Sequence, residues 1–502
     1  MNLVTLAQDN FEKFGEYRYL VSPGREFTNL QLLKFADRFA NALKSLGIQP
    51  GERVLVMLPN LPEVLISYQG ILRAQAVIVP VVAALAENEL SHILRNSQAA
   101  AVVTSALFLP KVAAVRPEIE TLREVIVIEP EPAEGAKNFW PLVQDASSEA
   151  ATPALAEDDL AVIIYTSGTT GLPKGVMLTH ANLYSNAVNS SAARRVKRED
   201  VSLAVLPLSH SFGITVMNNS LIYGNLWVLL PRFDVEEVFK AIDAHRVTTF
   251  PGVPAMFNMM LLAARELKQK YDLSSLREVT SGSAPLLPET YAAFERVFNV
   301  KIRQGYGLSE ASPIVSVPYD GREIKPASVG QAIPGTELRI VDELGGEVNP
   351  GQVGELIVKG PNVSPGYYNL PRETAATFRD GWLYTGDMAR LDDEGYLYLV
   401  ERKKDLIIRG GFNIYPRDIE EVLVKHPKVK EAAVIGVADP VMGEEVKAFV
   451  VPADGAEPTA GEIIEHCQAH LSKNKIPKYI ETIKALPRSP LGKVLRKKLR
   501  EL

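Results

Sequence analysis

The stretch YTSGTTGLPKGV runs from Tyr165 to Val176, and its reading decides the rest of the chain. It begins inside LAVIIYT (Leu160–Thr166), a short apolar run rich in β-branched residues. Such a run reads as a buried strand ending at a loop. The glycines and Pro173 then rule out a regular element across the stretch. Closely spaced glycines let backbone N–H groups turn towards a ligand, and the hydroxyls of Thr166, Ser167, Thr169 and Thr170 add donors. Lys174 supplies a positive charge. The loop is built for phosphate, but it is not a Walker P-loop. Counted from Gly168, Pro173 stands where the second glycine belongs, and Gly175 replaces the Ser/Thr that would hold Mg²⁺. A Gly-rich surface turn is the plain alternative, and the density of hydroxyls beside a lysine argues against it.

The chain has 502 residues, which at roughly 150 per domain predicts about three domains or lobes. Hydrophobic residues make up 46% and charged residues 23%, the balance of a globular protein rather than a disordered or fibrous one. A net charge of −6 gives no reason to expect nucleic acid as a partner. No uninterrupted apolar run approaches the ~18 residues of a membrane span, and the N-terminus lacks the basic-then-apolar pattern of a signal peptide. A cytoplasmic enzyme without integral membrane association is the expectation, and composition leaves a homodimer open. The single cysteine excludes a disulfide within the chain and argues against a Cys-based metal site. Cys467 shares a helical face with Ile463, Ile464 and Leu471, so it reads as a small core residue.

From about residue 25 to 400, short apolar strands alternate with amphipathic helical stretches. RVLVMLPN (53–60), VSLAVLPL, LWVLL and RVTTF are strand candidates, and LPEVLISYQGILRAQ is a helix candidate. The alternation predicts an α/β fold with mixed, mostly parallel sheets. Near 337–400 the strands TELRIVD, GELIVKG, DMARLDD and GYLYLVE are close-spaced and joined by Gly and Asp turns, which predicts a small antiparallel, barrel-like subdomain. The last hundred residues restart with the helix PRDIEEVLVKH, the strands AAVIGV and VKAFVVP, the Cys467 helix and a strand near YIETIK: a compact α+β unit. The charged ERKKD at 401–405 separates this unit from the rest. The expected organisation is therefore an N-terminal domain 1–400, a hinge 401–405 and a small, mobile C-terminal domain 406–502.

Other stretches carry candidate chemistry, each with a plainer reading beside it. In QGYGLSEAS (304–312), Gly305 and Gly307 permit close approach to a flat ligand, Tyr306 can stack on it, and Glu310 is a hard oxygen ligand suited to Mg²⁺; a structural loop with a core tyrosine is the rival. YTGDMA (384–389) puts Asp387 after a tight turn at the start of a strand, as a ribose-binding or a turn-stabilising carboxylate. RKKDLIIRGGFNIYP (402–416) joins a basic cluster to a Gly-Gly loop. PRSPLGKVLRKKLRE (487–501) reads as a loop with Lys493 at its tip, leading into a basic helix. LPLSHSFG (206–213) places His210 after a strand, with no Ser-His-Asp signature around it.

Together and in this order, YTSGTTGLPKG, LPLSHSFG, SGSAPL, QGYGLSEAS, YTGD, ERKKDLIIRGGFNIYP and PRSPLGK resemble the adenylate-forming superfamily of acyl-CoA synthetases, peptide-synthetase adenylation domains and firefly luciferases, over nearly the whole chain. The likeness is closest to fatty-acid and aryl-acid CoA ligases. It implies two half-reactions: a carboxylate and Mg·ATP give acyl-adenylate and pyrophosphate, then the CoA thiol displaces AMP. It implies that Thr166, Ser167, Gly168, Thr169, Thr170, Gly171 and Lys174 hold phosphates. Thr166 and Glu310 are implied as Mg²⁺ ligands. Tyr306 and Gly282, Ser283, Ala284 and Pro285 would face adenine, Gly305 and Gly307 would flank that site, and Ser309 would meet the α-phosphate. Asp387 and Arg402 would grip the ribose. Lys493 would bridge carboxylate and α-phosphate, with Glu310 and His210 beside it as catalytic candidates. Arg409, Gly410 and Gly411 would line the CoA path, and Lys404 would be the hinge. His210, Phe212, Ile214, Met217, Val253, Met256 and Phe257 are candidates for the acyl pocket; mostly apolar and without an arginine, they imply an apolar monocarboxylic acid, fatty or aromatic. Transfer to a carrier protein instead of CoA is the alternative.

Overall fold

The computed structural model describes residues 2–83, 85–131, 135–149, 155–167, 173–410, 412–488 and 494–502. The chain divides into two compact units. One holds residues 1–338 and 358–383, the other 339–357 and 384–502. The 401–405 stretch falls inside the second.

Two sheets organise the first unit. One runs in spatial order Ile302–Gln304, Glu278–Ser281, Thr249–Gly252, Val201–Ala204, Leu226–Leu229, Arg18–Ser22, Arg25–Thr28. All its pairings are parallel except the terminal Arg18–Ser22/Arg25–Thr28 hairpin. The other runs Gly366–Tyr367, Pro173–Thr179, Leu160–Ser167, Val77–Pro80, Arg53–Met57, Ala99–Thr104, Glu124–Val127, Lys137–Asn138. It is parallel from Leu160–Ser167 onward and antiparallel at the edge that carries the glycine-rich stretch. Strands buried on both faces need unbroken apolar runs, and Arg53–Met57 and Ala99–Thr104 are of that kind. The expected mixed, mostly parallel α/β architecture is present. The strand expected at RVTTF begins three residues late, at Thr249.

Helices start where the sequence offers caps. Thr28 and Gln31 form a capping box for Asn29–Ser45, and Thr179 and Asn182 form one for His180–Arg194. The largest core joins the two sheets: Val54, Ile78 and Val162 of one, and Leu20, Ala204 and Trp227 of the other, pack with Phe39, Tyr68 and Phe139. Helices Asn29–Ser45 and Pro62–Arg73 approach so closely that a Cβ on Gly70 would lie 2.8 Å from the Phe39 ring.

In the second unit, Asp387–Leu391 of the strand Trp382–Leu391 pairs antiparallel with Leu397–Arg402, the curled β portion expected near 337–400. A further sheet runs Phe412–Ile414, Ile407–Arg409, Gly443–Pro452, Val429–Asp439, and Tyr479–Thr482 joins the Gly443–Pro452 strand in parallel. Helices Pro416–Leu423 and Ala460–His470 cover it. Cys467 is fully buried there with Ile419, Leu423 and Ile463, and burial pushes its thiol up to about 11. The basic terminal helix is short, Arg496–Leu499, and Leu499 is buried. Among the described residues no helix is long and apolar enough to cross a membrane.

Arg73 and Asp37 form a buried ion pair linking helices Pro62–Arg73 and Asn29–Ser45, and the guanidinium also donates to the Val4 carbonyl at 3.0 Å. Removing one partner strands the other charge. Arg73→Leu should cost about 3–5 kcal/mol in urea unfolding, and adding Asp37→Leu should recover much of that loss. Equal losses in the single and double variants would show that the pair is not the source.

Candidate active site

The two flanks of the glycine-rich stretch pair antiparallel with one another. Thr166 lies opposite Lys174 and Ser167 opposite Pro173 in the Leu160–Ser167/Pro173–Thr179 ladder. The expected strand ends at Ser167, the expected loop falls on residues 168–172 outside the described ones, and the correction is that Pro173 and Lys174 already belong to a strand. Pro173 opens its strand, where the missing N–H is tolerated, so pairing resumes at once and Lys174 is a strand residue. Gly168, Thr169, Thr170 and Gly171 lie outside the described residues, as does the side chain of Ser167.

The edge strand Gly366–Tyr367 completes this ladder, with Tyr367 opposite Val176. The Lys174 ammonium stands 5.3 Å from the centre of the Tyr367 ring, and the Tyr367 hydroxyl donates to Glu310 Oε1 at 2.9 Å. One aromatic side chain thus joins the lysine of one motif to the carboxylate of another. Ser364 reinforces the link: its N–H donates to the Glu310 carbonyl at 2.9 Å, and its hydroxyl to the Met177 carbonyl at 2.6 Å. Sequence reasoning missed Tyr367. Its signal was a tyrosine following a proline–glycine turn, which is too common to single out.

Glu310 sits in a short 3₁₀ turn, Ser309–Ala311. Buried amides hold the segment that follows. Asn186 donates to the Ile314 carbonyl at 2.7 Å, Asn362 donates to the Ala311 carbonyl at 3.0 Å, and Thr215 donates to the Ser312 carbonyl at 3.0 Å. Tyr306 lies in a two-residue strand paired with Ile314–Val317. A Cβ on Gly307 would meet the Pro313 carbonyl oxygen at 2.2 Å. That glycine therefore serves the approach of two backbone segments, where the sequence reading assigned it to a flat ligand.

His210 caps the helix Ser211–Tyr223, its Nδ1 accepting from the Phe212 N–H at 3.3 Å. The accepting Nδ1 leaves Nε2 as the protonated nitrogen of the neutral ring. Surrounding protein pushes the imidazole down to about 4. Gly213 lets the first turn pass the Pro207 carbonyl, which a Cβ would meet at 2.3 Å. Buried Ser211 and Ser309 place their hydroxyl oxygens 3.3 Å apart, tying this helix to the Glu310 turn. Phe212 lies against Gly282, 3.3 Å from where a Cβ would stand, and Met256 lies beside Gly252 in the same sense at 3.4 Å. The Gly282 N–H is 3.3 Å from the Gly252 carbonyl, so these positions are neighbours at the C-terminal ends of adjacent parallel strands. Such ends are where open α/β sheets bind ligands. Val253 caps the following helix, Ser283 is exposed in the left-handed region, and Ala284 and Pro285 follow it. The other acyl candidates are packed as core: Phe257 lies between Phe250 and Phe294, Ile214 in the inter-sheet core, and Met217 beside Tyr19, Leu32 and Leu221 around a separate small apolar cavity.

In the second unit, Asp387 and Arg402 are register partners, joined by a 2.6 Å ion pair. Asp387 is mid-strand in Trp382–Leu391 rather than at a strand start, although its pairing with Leu397–Arg402 begins at that residue. Arg409 is engaged with buried Glu445 at 2.6 Å and donates to the Asn474 carbonyl. Gly410 has a positive φ and donates to the Met442 carbonyl, and Gly411 lies outside the described residues. Lys404 is exposed in the 3₁₀ turn Lys403–Asp405. Lys493 lies outside the described residues. The chain on either side of it is pinned by the Arg488/Val494 bridge, the Arg488–Glu431 pair at 2.5 Å and the Arg496–Glu420 pair at 2.7 Å.

The ordinary histidine value is 6.5 and that of His210 is about 4, so between these values the unfolded chain binds the extra proton. The stability contribution is fully present above pH 6.5 and is lost as pH falls towards 4, by at most about 3 kcal/mol. His210→Asn keeps a capping acceptor without titrating. It should make the fall in urea midpoint between pH 7 and 5 shallower; an unchanged slope would contradict the burial argument.

A family model of the AMP-binding enzymes matches residues 7–368, and one of the AMP-binding enzyme C-terminal domain matches 418–493. The chain is 39% identical to a long-chain-fatty-acid–CoA ligase of Bacillus subtilis, over 99% of this chain and 94% of that protein. It is 36% identical to a feruloyl-CoA synthase of Amycolatopsis sp., over 95% and 94%. Among solved structures, ATP-bound MatB from Rhodopseudomonas palustris superposes with a TM-score of 0.92 at 33% identity, covering 100% of this chain and 99% of that one. An anthranilate CoA ligase, AuaEII, in complex with anthranoyl-AMP superposes with a TM-score of 0.92 at 29% identity, covering 100% and 97%. With a family match over most of its length and relatives of this identity end to end, the chain is an enzyme of the AMP-binding family.

Proposed function

We propose that this enzyme is an ATP-dependent acid–CoA ligase acting on a monocarboxylic acid with an apolar body, fatty or aromatic. The observation that carries the reading is the joining of Lys174 and Glu310 through Tyr367. A cation and a carboxylate around one ring suit the phosphate end of a nucleotide, where charge must be both attracted and screened.

In the first half-reaction a carboxylate oxygen attacks the α-phosphorus of ATP, the bond to the β-phosphate bridge breaks, and pyrophosphate leaves. Thr166 and Lys174 hold the leaving phosphates, and Ser309 meets the α-phosphate. Tyr306 and the 282–285 segment take adenine, and Asp387 and Arg402 take the ribose. In the second, the CoA sulfur attacks the acyl carbon and AMP departs with the bonding electrons. His210 stays neutral at physiological pH because of its burial, so it adds no charge beside the carboxylate. Phe212 and Met256 border the acid. Lys404 is the proposed hinge between the two steps, with Gly410 and Gly411 on the CoA path.

The residues present fit Mg²⁺. The Glu310 carboxylate accepts one hydrogen bond and makes no ion pair among the described residues, and no described group of three or more His, Cys, Asp or Glu could bind a metal alone. An ion held by few protein ligands and by substrate phosphates is the usual Mg²⁺ arrangement. Glu310 and Thr166 would hold it, and it would neutralise phosphate charge.

The direct test incubates the enzyme with ATP and acids of different length and ring content, reading pyrophosphate and analysing the product by mass spectrometry. Acyl-CoA with AMP is expected; discharge of the adenylate only to a carrier protein would overturn the CoA assignment. Lys493→Ala should lower acyl-adenylate formation by about 10²-fold or more while sparing CoA transfer from synthetic acyl-AMP, because only the first step joins two anions. Equal losses in both steps would refute the role. Tyr367→Phe removes one hydrogen bond to a charged carboxylate, worth about 1.5 kcal/mol. It should cut adenylation about tenfold and move its Mg²⁺ dependence to higher concentration, and an unmoved Mg²⁺ profile would limit Tyr367 to packing.

A further inference from the structure

The helix Glu87–Ser97 packs beside the strand Leu160–Ser167, with Leu90, Ile93 and Leu94 buried in one core with Ile163. That burial fixes the helix to the sheet. Two polar residues one turn apart, His92 and Asn96, then reach the two flanks of the glycine-rich stretch. His92 Nε2 lies 3.0 Å from the Pro173 carbonyl on one flank. Asn96 Oδ1 accepts from the Tyr165 hydroxyl on the other at 2.6 Å. The Asn96 carbonyl also accepts from Asn369 Nδ2 at 3.4 Å. The reaction described above uses neither His92 nor Asn96.

The His92 contact extends a ladder. The Gly175 carbonyl accepts from the Tyr368 N–H at 2.7 Å, just past the edge strand Gly366–Tyr367. Carbonyls two residues apart on a strand point to the same edge, so the Pro173 carbonyl faces the same side. The chain beyond Tyr368 leaves the extended conformation at Asn369, whose φ is 56°. The His92 imidazole stands where the next backbone donor would be. A carbonyl only accepts, so the ring nitrogen donates and Nε2 carries the proton. The peptide unit is planar, so holding the Pro173 carbonyl fixes the plane that joins Pro173 to Lys174. On the other side of Lys174, Gly175 is held by the Tyr368 N–H and lies against the Tyr165 ring, whose Cζ a Cβ would meet at 3.0 Å. The Lys174 backbone is thus set from both neighbours. Lysine side chains carry much rotamer freedom, so a fixed backbone narrows where the ammonium stands.

We propose that His92 is a positioning residue for Lys174: it touches no substrate, and by holding the Pro173 carbonyl it orients the lysine towards the β- and γ-phosphates of ATP. This rests on the nucleotide reading above and deepens it by naming what holds the phosphate lysine. The consequence is selective. AMP lacks the β- and γ-phosphates and does not meet Lys174, so losing the His92 contact weakens ATP and spares AMP. A residue that served packing alone would make no such distinction.

Glutamine places its amide nitrogen where histidine has Nε2, and asparagine places it where histidine has Nδ1. His92→Gln and His92→Asn are therefore a matched pair, both polar and neither titrating, of which only the first reaches the carbonyl. Calorimetric titration of the intact enzyme with Mg·ATP and with AMP, in the absence of acid and CoA, reads binding directly. His92→Asn should bind ATP about fivefold more weakly or worse, the effect of one lost hydrogen bond, and AMP within about twofold of wild type. The KM for ATP should rise by the same factor while the KM for the acid stays in place. His92→Gln should return ATP affinity to within about twofold of wild type. Equal weakening of ATP and AMP overturns the proposal, as does an ATP affinity that His92→Asn leaves unmoved, or a His92→Gln enzyme as weak as His92→Asn. Wild-type enzyme that binds neither nucleotide removes the nucleotide reading and this proposal together. Wild-type binding of both with no response to His92→Asn removes the role of His92 alone. ATP binding that responds to His92 in an enzyme that releases no pyrophosphate with any acid keeps that role and removes the ligase reading.

Discussion

The antiparallel ladder that joins Leu160–Ser167, Pro173–Thr179 and Gly366–Tyr367 is the constraint on which the joining of Lys174, Tyr367 and Glu310 depends. Register in such a ladder is strict, because a slip of one residue turns every side chain to the opposite face. The observed register puts Thr166 across from Lys174, and Tyr367 across from Val176. From that position the Tyr367 ring lies beside the ammonium and its hydroxyl reaches Glu310. A slip would send Tyr367 away and leave the carboxylate without its donor. His92 stabilises the same edge from the helix Glu87–Ser97, its Nε2 lying 3.0 Å from the Pro173 carbonyl.

A rigid ladder would be of little use if Glu310 moved independently, and the buried amides around 311–314 prevent this. Asn186 and Asn362 come from segments far apart in sequence, yet both donate to the Ala311 and Ile314 carbonyls, and Asn186 also accepts from the Ile314 N–H. Each such bond contributes about 1 kcal/mol net when formed, while losing it leaves a buried carbonyl unsatisfied at about 1–3 kcal/mol. The arrangement therefore resists displacement more strongly than its net stability suggests. Catalysis through oriented charge requires groups already in place before reaction, and this turn has that character.

Most of the architecture was legible in the sequence, since the parallel strands are apolar runs and the helices carry caps. Arg53–Met57, Val201–Ala204 and Leu226–Leu229 lie where β-branched and apolar residues cluster, and the helix Pro62–Arg73 begins at its proline. Pro173 and Lys174 were not legible as strand residues, because glycine and proline signal turns locally while pairing across a ladder is a tertiary event. Asp387 was placed at a strand start for the same reason: Gly386 has a positive φ, but the strand continues through it. The acyl candidates divide in a way the sequence could not express. Phe212 and Met256 lie at the strand ends, whereas Phe257, Ile214 and Met217 fill cores, because apolar residues on adjoining helices look alike whether they face a ligand or a neighbour. Tyr367 was invisible, since it meets Glu310 across 57 residues of chain.

The helix Ser211–Tyr223 shows why periodicity fails at such a place. Ser211, Thr215, Asn218, Asn219 and Ser220 are all buried beside Ile214 and Met217, so the helix has no solvated face and no apolar stripe to find. Surface helices separate polar from apolar, but a helix enclosed on every side must satisfy its polar groups one by one. At its N-terminal end they are satisfied: Ser211 meets Ser309, and Thr215 meets Ser312. Towards its C-terminal end the pairing is incomplete among the described residues, at Asn218 and at neighbouring Asn225. The parallel strands beneath repeat the division. The adjacent strands Thr249–Gly252 and Glu278–Ser281 end in glycine and serine, while the start of the latter carries Glu278 among Arg194, Arg277 and Arg303 at 3.8–3.9 Å. Chemistry belongs at the first end because dipoles and glycines converge there. Buried charge is placed at the other, where its mutual attraction is already arranged.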